Sequence, residues 1–219
     1  ALIIGAGSIG QRHILNLKKI GIKNITALRS KKGHYKKLPK DLGVNEIDSW
    51  EEALNLESDI AIISNPTSLH VDAALKIAGS VKGIFIEKPL SNTLSSCNQL
   101  IDLLNAKKIT SFVGHNLMFH PIVKKIIDFY NKNDVGEIIN IQCQVGQWLP
   151  DWHPYEDFTK AYYAKKDLGG GVALTLIHEI HLVLELAGLP TYVSGEITEY
   201  NKLNLDVDVC SDLMIRHKS

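Results

Sequence analysis

The sequence lacks an excess of charge of either sign. Its 219 residues include 24 Lys and Arg and 24 Asp and Glu, so the formal net charge is zero at pH 7. Proteins that bind nucleic acid or membrane surfaces usually carry a basic excess. The balance therefore argues against both partners, and we interpret the basic stretch Lys31–Lys40 as a solvated loop.

Cysteines are few and long apolar runs are missing. Cys97, Cys143 and Cys210 form no C-x-x-C pair, which predicts neither a disulfide framework nor a metal site. No apolar run approaches the roughly 18 residues needed to span a bilayer. We expect no signal peptide before the first strand. We therefore expect a cytoplasmic protein with reduced thiols.

Short apolar runs alternate with segments of helical period in the first half of the chain. The predicted strands are Leu2–Ile4, Asn24–Leu28, Ile60–Ile63, Gly83–Ile86 and Thr110–Val113. The predicted helices span residues 8–20, 49–55, 68–78 and 93–106. Apolar strands that alternate with helices indicate an α/β fold, with a parallel sheet covered on both faces.

The pattern changes after about residue 115. The predicted elements are a helix near 120–131, a strand at 137–147, a helix at 171–187 and two closing strands, the last within 207–217. This order suggests a second, α+β domain. We expect domain boundaries at 1–115 and 116–219. Because the chain starts within a strand and stops after one, we also expect a truncated C-terminus.

A glycine loop follows the first predicted strand and opens the first helix. Gly5-x-Gly7-x-x-Gly10 in this context is typical of dinucleotide-binding proteins. Gly5 makes the tight turn, Gly7 lets the backbone approach the pyrophosphate, and Gly10 allows close packing of helix on strand. The helix N-terminus, at Ser8 and Ile9, presents free N–H groups to the phosphates.

The residues after the second predicted strand bear on the choice of cofactor. An NAD site usually places an acid there to bind the ribose hydroxyls. Here Arg29 and Ser30 stand instead, and an arginine with a hydroxyl suits a 2′-phosphate. Arg29 could equally be a surface residue or stack on adenine. The sequence therefore predicts NADP or NAD, with a preference for NADP.

Further motifs follow in a characteristic order. They are Asn65-Pro66-Thr67-Ser68-Leu69-His70, Glu87-Lys88-Pro89, Gly114 to Pro121, and Gly169-Gly170-Gly171 followed by His178-Glu179. In this order they resemble the glucose–fructose oxidoreductase/inositol dehydrogenase (Gfo/Idh/MocA) family. The segments Trp152–Asp157 and Ile177–Ile180 resemble the branch found in surface-polysaccharide and nonulosonate pathways.

The resemblance implies a fold and roles for several residues. A Rossmann domain would precede a domain with an open, mostly antiparallel sheet, which in such proteins commonly forms a dimer interface. Lys88 would reach the nicotinamide ribose and the substrate, His178 would accept the proton of the substrate hydroxyl, and His70 would help frame the nicotinamide. The predicted cofactor-binding residues are Gly5, Gly7, Ser8, Ile9, Gly10, Arg29, Ser30, Asn65, Pro66, His70, Glu87, Lys88 and Asn116. The tentative substrate-binding residues are Lys88, His120, Trp152, His153, Thr175 and His178.

Two positions depart from the family pattern. Most relatives carry acids where this chain has Thr175 and His181. Losing both acids would weaken the electrostatic support of His178. Reduced or altered activity is therefore one expectation.

The predicted function is hydride transfer between a nicotinamide cofactor and a hydroxyl or keto group of a sugar or nucleotide-sugar. NAD-dependent glycoside cleavage through transient oxidation, and a cofactor-binding regulator or inactive homologue, are the alternatives. We expect a small-molecule substrate and a homo-oligomer formed through the C-terminal sheet if that sheet is complete.

Overall fold

The chain forms two compact units. The computed structural model describes residues 1–31, 37–134, 136–198 and 201–218. The first unit contains Ala1–Gly114, Lys160–Tyr162 and Asp167–Gly169, and the second contains the remainder. Part of the predicted basic loop, residues 32–36, lies outside the described residues.

The first unit is built on a parallel sheet. Its six strands are β1 (Leu2–Ile4), β2 (Thr26–Leu28), β3 (Asn45–Ile47), β4 (Ile60–Ile63), β5 (Gly83–Ile86) and β6 (Thr110–Val113). Their order is β3-β2-β1-β4-β5-β6, and every neighbouring pair is parallel. In the central register Leu2 lies opposite Thr26 on one side and Ala61 on the other. This confirms the predicted fold class.

Helices connect these strands. They are α1 (Ser8–Lys19), α2 (Trp50–Asn55), α3 (His70–Ile77) and α4 (Cys97–Ala106). The hydroxyl of Ser49 caps α2 by accepting from the N–H groups of Glu51 and Glu52. The helix predicted from residue 93 begins four residues later, because Ser96 before it takes a left-handed conformation with φ 61°.

Apolar side chains fill both faces of the parallel sheet. Leu2 and Ile4 point into the core cluster that includes α3 and α4, whereas Ile3 between them joins the cluster beneath α1. All three are at most 3% exposed. The continuous apolar runs of these strands thus follow from burial on two sides.

The second unit combines helices with an antiparallel pair of strands. The elements are α5 (Pro121–Asn131), α6 (Leu149–Trp152), α7 (Val172–Thr175), α8 (His178–Ala187), β7 (Pro190–Thr198) and β8 (Cys210–His217). Strands β7 and β8 pair from Pro190 opposite His217 to Thr198 opposite Cys210. The two closing strands are therefore confirmed.

Two sequence predictions for the second unit are wrong. Residues 137–147 form no strand, because among the described residues no neighbouring strand pairs with them, and alternation of side chains alone does not make a ladder. The single helix predicted over 171–187 is two helices. Leu176, with φ −101° and ψ 46°, interrupts it between α7 and α8.

No single helix in the described parts of the chain is long and apolar enough to cross a membrane. One bent pair, 166–175 with 178–187, meets the criteria together by length and composition only, with 56° between its halves. Helices of a protein core meet the same criteria.

Candidate active site

The glycine loop lies between β1 and α1, and each glycine has different surroundings. Gly5 has φ +88°, and a Cβ there would lie 2.6 Å from the backbone N of Asn65. A Cβ on Gly10 would collide with the carbonyl oxygen of Gly5. A Cβ on Gly7 would meet no atom within 4 Å among the described residues. Two glycines are thus required by the fold itself, and the third faces open space.

Hydrogen bonds hold the loop to the neighbouring strands. The N–H of Gly5 donates to the carbonyl of Leu28 at the end of β2 at 3.0 Å. The hydroxyl of Ser64, directly after β4, donates to the carbonyl of Gly5 at 2.7 Å. Helix α1 then starts at Ser8 with no acidic residue in its first turn. The positive end of the helix dipole is therefore not offset locally, which suits an anion.

The loop after β4 carries Asn65 and leads to His70. The Nδ2 group of Asn65 donates to the carbonyl of Leu69 at 3.3 Å, while its buried Oδ1 atom accepts from no donor in the described part of the chain. A buried acceptor of this kind calls for a donor from elsewhere, such as a ligand hydroxyl.

His70 is only 2% exposed and joins two loops of the site. Its Nδ1 atom lies 2.8 Å from the carbonyl oxygen of Pro89, and its Nε2 atom lies 2.9 Å from that of Asn65. Burial lowers the pKa of His70 below its ordinary value, although the two carbonyls oppose this. Both nitrogens therefore contact backbone, and the ring fastens the loop after β5 to the loop after β4.

Glu87 and Lys88 follow β5. The carboxylate of Glu87 pairs with Nε2 of His13, on α1, at 2.7 Å, and both side chains are largely buried. Burial by itself raises the pKa of Glu87, but the hydrogen bond and charge of His13, with the N–H of Lys88, bring it below the ordinary value. Glu87 is therefore a carboxylate that anchors the backbone just before the half-buried Lys88.

Arg29 and Ser30 follow β2, where the choice of cofactor was expected to be made. Arg29 is 5% exposed, and its guanidinium donates to the carboxylate of Glu46 on β3. Ser30 is exposed. Arg29 is thus a buried residue that pairs with β3 rather than a surface residue.

The first unit also contains contacts that the sequence did not reveal, at Tyr162, Gly169 and His13. Burial, and then the charge of Glu87, raise the pKa of Tyr162 to about 12. A Cβ on Gly169 would lie 2.8 Å from the Cβ of Thr67, so the first glycine of Gly169-Gly170-Gly171 packs on the loop after β4. His13 could have been noticed as a titratable residue on α1 one turn after Gly10, but no spacing pattern reveals its partner.

Three histidines lie together in the second unit. The rings of His115 and His181 stack with centroids 3.7 Å apart and planes 7° from parallel. The ring of His178, at the start of α8, approaches His115 edge-on at 6.1 Å. His181 also lies 3.5 Å from the carboxylate of Glu185. One of these imidazoles, that of His181, thus stands at one of the two positions where the resemblance predicts an acid.

The start of the glycine-rich helix is fixed by Asp208. Its carboxylate accepts from the N–H of Ala173 at 2.8 Å, and its carbonyl accepts from the N–H of Val172 at 3.0 Å. A Cβ on Gly171 would collide with the same carboxylate. Thr175, 5% exposed, ends α7, so it and His178 lie on different helices rather than on one face of a continuous helix.

The remaining tentative substrate residues also have structural contacts. Nδ1 of His120 accepts from the N–H of Ile122 and caps α5. Trp152 stacks on His153 with planes 18° apart, and Nδ1 of His153 lies 2.8 Å from the hydroxyl of Tyr155. Asn116 begins an exposed 3-10 turn.

The predicted site residues divide between the two units. The first unit brings together Gly5, Gly7, Ser8, Ile9, Gly10, Asn65, Pro66, His70, Glu87 and Lys88 at the carboxyl ends of β1, β4 and β5, with Arg29 and Ser30 after β2. The second unit contains Asn116, His120, Trp152, His153, Thr175 and His178. The convergence of Lys88 and His178 stays a prediction.

The parallel sheet, the glycine loop and the Glu-Lys-Pro turn define an NAD-binding Rossmann protein. Residues 1–115 match the model of the Gfo/Idh/MocA oxidoreductase family with an NAD-binding Rossmann fold. Because this match covers more than half of the chain, the chain belongs to that family.

Sequence identity to individual relatives is low. The chain is 29% identical over 140 residues to a scyllo-inositol 2-dehydrogenase (NAD(+)) of Bacillus subtilis, a match that covers 62% of this chain and 40% of the relative. The chain spans about half the length, or less, of curated relatives such as this one.

Solved structures share the fold. The myo-inositol 2-dehydrogenase of Lactobacillus plantarum superposes with a TM-score of 0.83 at 19% identity, over 99% of this chain and 65% of that one. A levoglucosan dehydrogenase complexed with NADH and levoglucosan gives 0.80 at 22% identity, over 99% and 63%. The predicted preference for NADP gains no support from these names.

Proposed function

We propose that this chain binds NAD(H) at its glycine loop and serves hydride transfer between nicotinamide and a hydroxyl or keto group of a sugar or nucleotide-sugar. The observation that carries the proposal is the geometry of the loop. Gly5 and Gly10 have no room for a side chain, whereas Gly7 faces open space beside the N-terminus of α1. Open backbone at a helix N-terminus suits a pyrophosphate.

The residues present fit a dinucleotide. Gly7, Ser8 and Ile9 would hold the phosphates through backbone N–H groups. The buried Oδ1 of Asn65 would accept from a hydroxyl of the bound nucleotide. His70 would act by fixing the loops that carry Asn65 and Lys88, since both its ring nitrogens contact backbone carbonyls.

Lys88 and His178 would perform the proton and charge chemistry. Nicotinamide, when bound, supplies the carbon that accepts or donates the hydride. The ammonium of Lys88 would stabilise negative charge that develops on the substrate oxygen. An imidazole nitrogen of His178 would take the proton of that hydroxyl, because imidazole titrates near neutral pH.

The names of relatives support the substrate class. An inositol dehydrogenase and a levoglucosan dehydrogenase both act, by name, on polyhydroxylated rings. The exposed and half-buried aromatic residues Trp152, His153 and Tyr155 form a platform that suits the apolar face of a sugar ring.

The first test is binding followed by turnover. We expect purified protein to bind NADH by calorimetry and to reduce NAD⁺, followed at 340 nm, with one or more members of a panel of inositols, pyranoses and nucleotide-sugars. H178N should bind NADH as the wild type does, K88M should still bind NADH, and both variants should lose turnover by about 100-fold or more.

The matched control is K82M. Lys82 is an exposed lysine just before β5, and it pairs with Asp59 just before β4. K82M should retain both binding and turnover. Failure of the wild-type protein to bind any nicotinamide nucleotide would refute the proposal at its first step.

A cofactor-binding regulator is the second candidate. It is favoured by Thr175 and His181, which stand where the family pattern carries acids, and the ring of His181 stacks on that of His115. NADH binding without turnover on the whole panel, unchanged in T175D, would support this candidate over the enzyme.

We further propose that 1–115 is the dinucleotide-binding domain and 116–219 the substrate and oligomerisation domain. Apolar side chains of β7 and β8 that are more than half exposed, Tyr192, Val193, Ile197 and Met214, support association through the antiparallel strands. Light scattering of the purified protein measures the oligomeric state.

A further inference from the structure

Two ion pairs join the end of β2 to β3. The guanidinium of Arg29 pairs with the carboxylate of Glu46, and Nζ of Lys31 pairs with the carboxylate of Asp48 at 2.9 Å. The backbone N–H of Arg29 also donates to the carbonyl of Ile47 at 2.9 Å, which carries the strand pairing one residue further. Each cation next to Ser30 thus has its own carboxylate, Glu46 on β3 and Asp48 directly after β3.

The two pairs differ in burial. The Arg29 side chain is 4% exposed and that of Glu46 is 34% exposed, so this pair lies under the surface with only its acid reaching solvent. Lys31 and Asp48 are 50% and 62% exposed. Charges in a buried pair interact more strongly than charges in water, because solvent screens them less.

Arg29 could bind a 2′-phosphate at this strand end only if its guanidinium turned towards that phosphate. Arginine binds phosphate through a fork of N–H groups, and NADP sites use it in this way. Here the guanidinium already donates to Glu46. Turning it towards a phosphate would leave the carboxylate without its partner in a partly desolvated place and would bring that negative charge close to the phosphate.

We propose that Glu46 is the residue that sets cofactor preference: by neutralising Arg29 it makes the end of β2 select NAD(H) over NADP(H). This rests on the proposed function, since it concerns the nucleotide held by the same glycine loop. Ser30, exposed after the strand, offers the ribose a hydroxyl rather than a charge. The preference therefore comes from the neighbouring strand and not from an acid at the end of β2.

The test compares dissociation constants of NADH and NADPH, measured by nucleotide fluorescence or calorimetry. The wild type should bind NADH at least about tenfold more tightly than NADPH. E46Q should move this ratio about tenfold towards NADPH, because it releases the guanidinium. D48N removes the same charge two residues away from an exposed pair and should leave the ratio within about twofold of wild type.

A double variant covers the case in which E46Q does not fold. R29L/E46L replaces the pair by apolar side chains, a change that proteins commonly tolerate. If Glu46 acts by neutralising Arg29, the double variant keeps the wild-type ratio within about twofold. A loss of NADPH affinity of about tenfold in this variant would show that Arg29 binds the phosphate, and would overturn the proposal.

Three further results would overturn it: a wild type that prefers NADPH, an E46Q ratio equal to that of wild type, or an equal shift in E46Q and D48N. Binding of neither nucleotide by the wild type would instead refute the proposed function itself.

Discussion

Gly7 precedes α1 and Gly10 lies in its first turn, but they are glycines for different reasons. A methyl group on Gly10 would collide with the carbonyl of Gly5, whereas one on Gly7 would meet no described atom within 4 Å. Gly7 has φ −71°, which any residue adopts. The fold itself leaves no room for a side chain at Gly10. At Gly7 we propose that the bound ligand takes up the space that a side chain would fill.

This difference predicts opposite outcomes for two alanine substitutions. G10A should lower the free energy of unfolding by about 2 kcal/mol or more, because the helix must move away from the strand. G7A should unfold at the wild-type denaturant concentration within error but bind NADH at least about tenfold more weakly. Urea unfolding and calorimetry on both variants measure this.

A stable G10A, or a G7A protein with full affinity, would contradict the prediction. G21A serves as a check on general glycine effects, since Gly21 lies after α1 and its Cβ would also meet no described atom. Because Gly21 has φ +91°, this variant should be somewhat destabilised with its NADH affinity unchanged.

Sequence spacing predicts some residues of the site but not their partners. The Gly5, Gly7 and Gly10 pattern is local, so it can be recognised without a structure. The contact of His13 with Glu87 joins residues 74 positions apart, and no local pattern records it. Arg29 illustrates the consequence: alone it suggests a phosphate ligand, but the position of Glu46 on β3 gives it another partner.

At the scale of elements, α7 depends on a residue outside it. Asp208 accepts from the N–H of Ala173 and so satisfies the first turn of a four-residue helix that has no side-chain cap of its own. D208A should lower the free energy of unfolding by about 1 kcal/mol. NADH affinity should not change, because Asp208 belongs to the second unit.

The matched control is D206A. Asp206 accepts from the N–H of Lys166 at 3.4 Å, a longer and exposed hydrogen bond, so its loss should shift stability by less than about 0.5 kcal/mol. Equal effects of the two substitutions in thermal unfolding would show that α7 needs no cap from Asp208.

Element prediction succeeded where burial on two sides left a strong signal. The apolar runs of β1, β4 and β5 could be recognised for this reason. Strand β3 was missed because Asn45 and Glu46 are exposed at the sheet edge and only Ile47 is partly buried. The opposite error at 137–147 arose because alternation reports which face a side chain takes, while a strand also requires a partner.

For the molecule as a whole, two buried groups make stability depend on pH in the same direction. Burial lowers the pKa of His70 from its ordinary 6.5. As pH falls, His70 is therefore protonated at a higher pH in the unfolded chain than in the folded chain. Burial raises the pKa of Glu87, but His13 and the N–H of Lys88 together lower this pKa below its ordinary 4.5. Stability should thus decline below about pH 6.5 through His70 and again below about pH 4.5 through Glu87.

Urea unfolding between about pH 3 and pH 8 measures this decline. H70N should flatten the upper part of the curve, and E87Q should flatten only the lower part. A wild-type curve that rises as pH falls from 7 to 5 would contradict the sign derived from His70.

The order of motifs along the chain predicted the family and the Rossmann sheet. It could not predict which motif residues contact only the protein backbone within the first unit. His70, for example, was expected to frame the nicotinamide, but both ring nitrogens contact the backbone of the loops on either side. Sequence order identifies such a residue, whereas its contacts distinguish support from direct binding.

The hydrogen bond from Ser64 to the carbonyl of Gly5 has a thermodynamic consequence. A loop tied to two strands has already lost its conformational freedom when the chain folds. A nucleotide that docks on it meets donors fixed in place, so little further ordering opposes association. The rigidity that makes G10A destabilising would therefore also favour ligand binding, because the loop needs no rearrangement before the nucleotide binds.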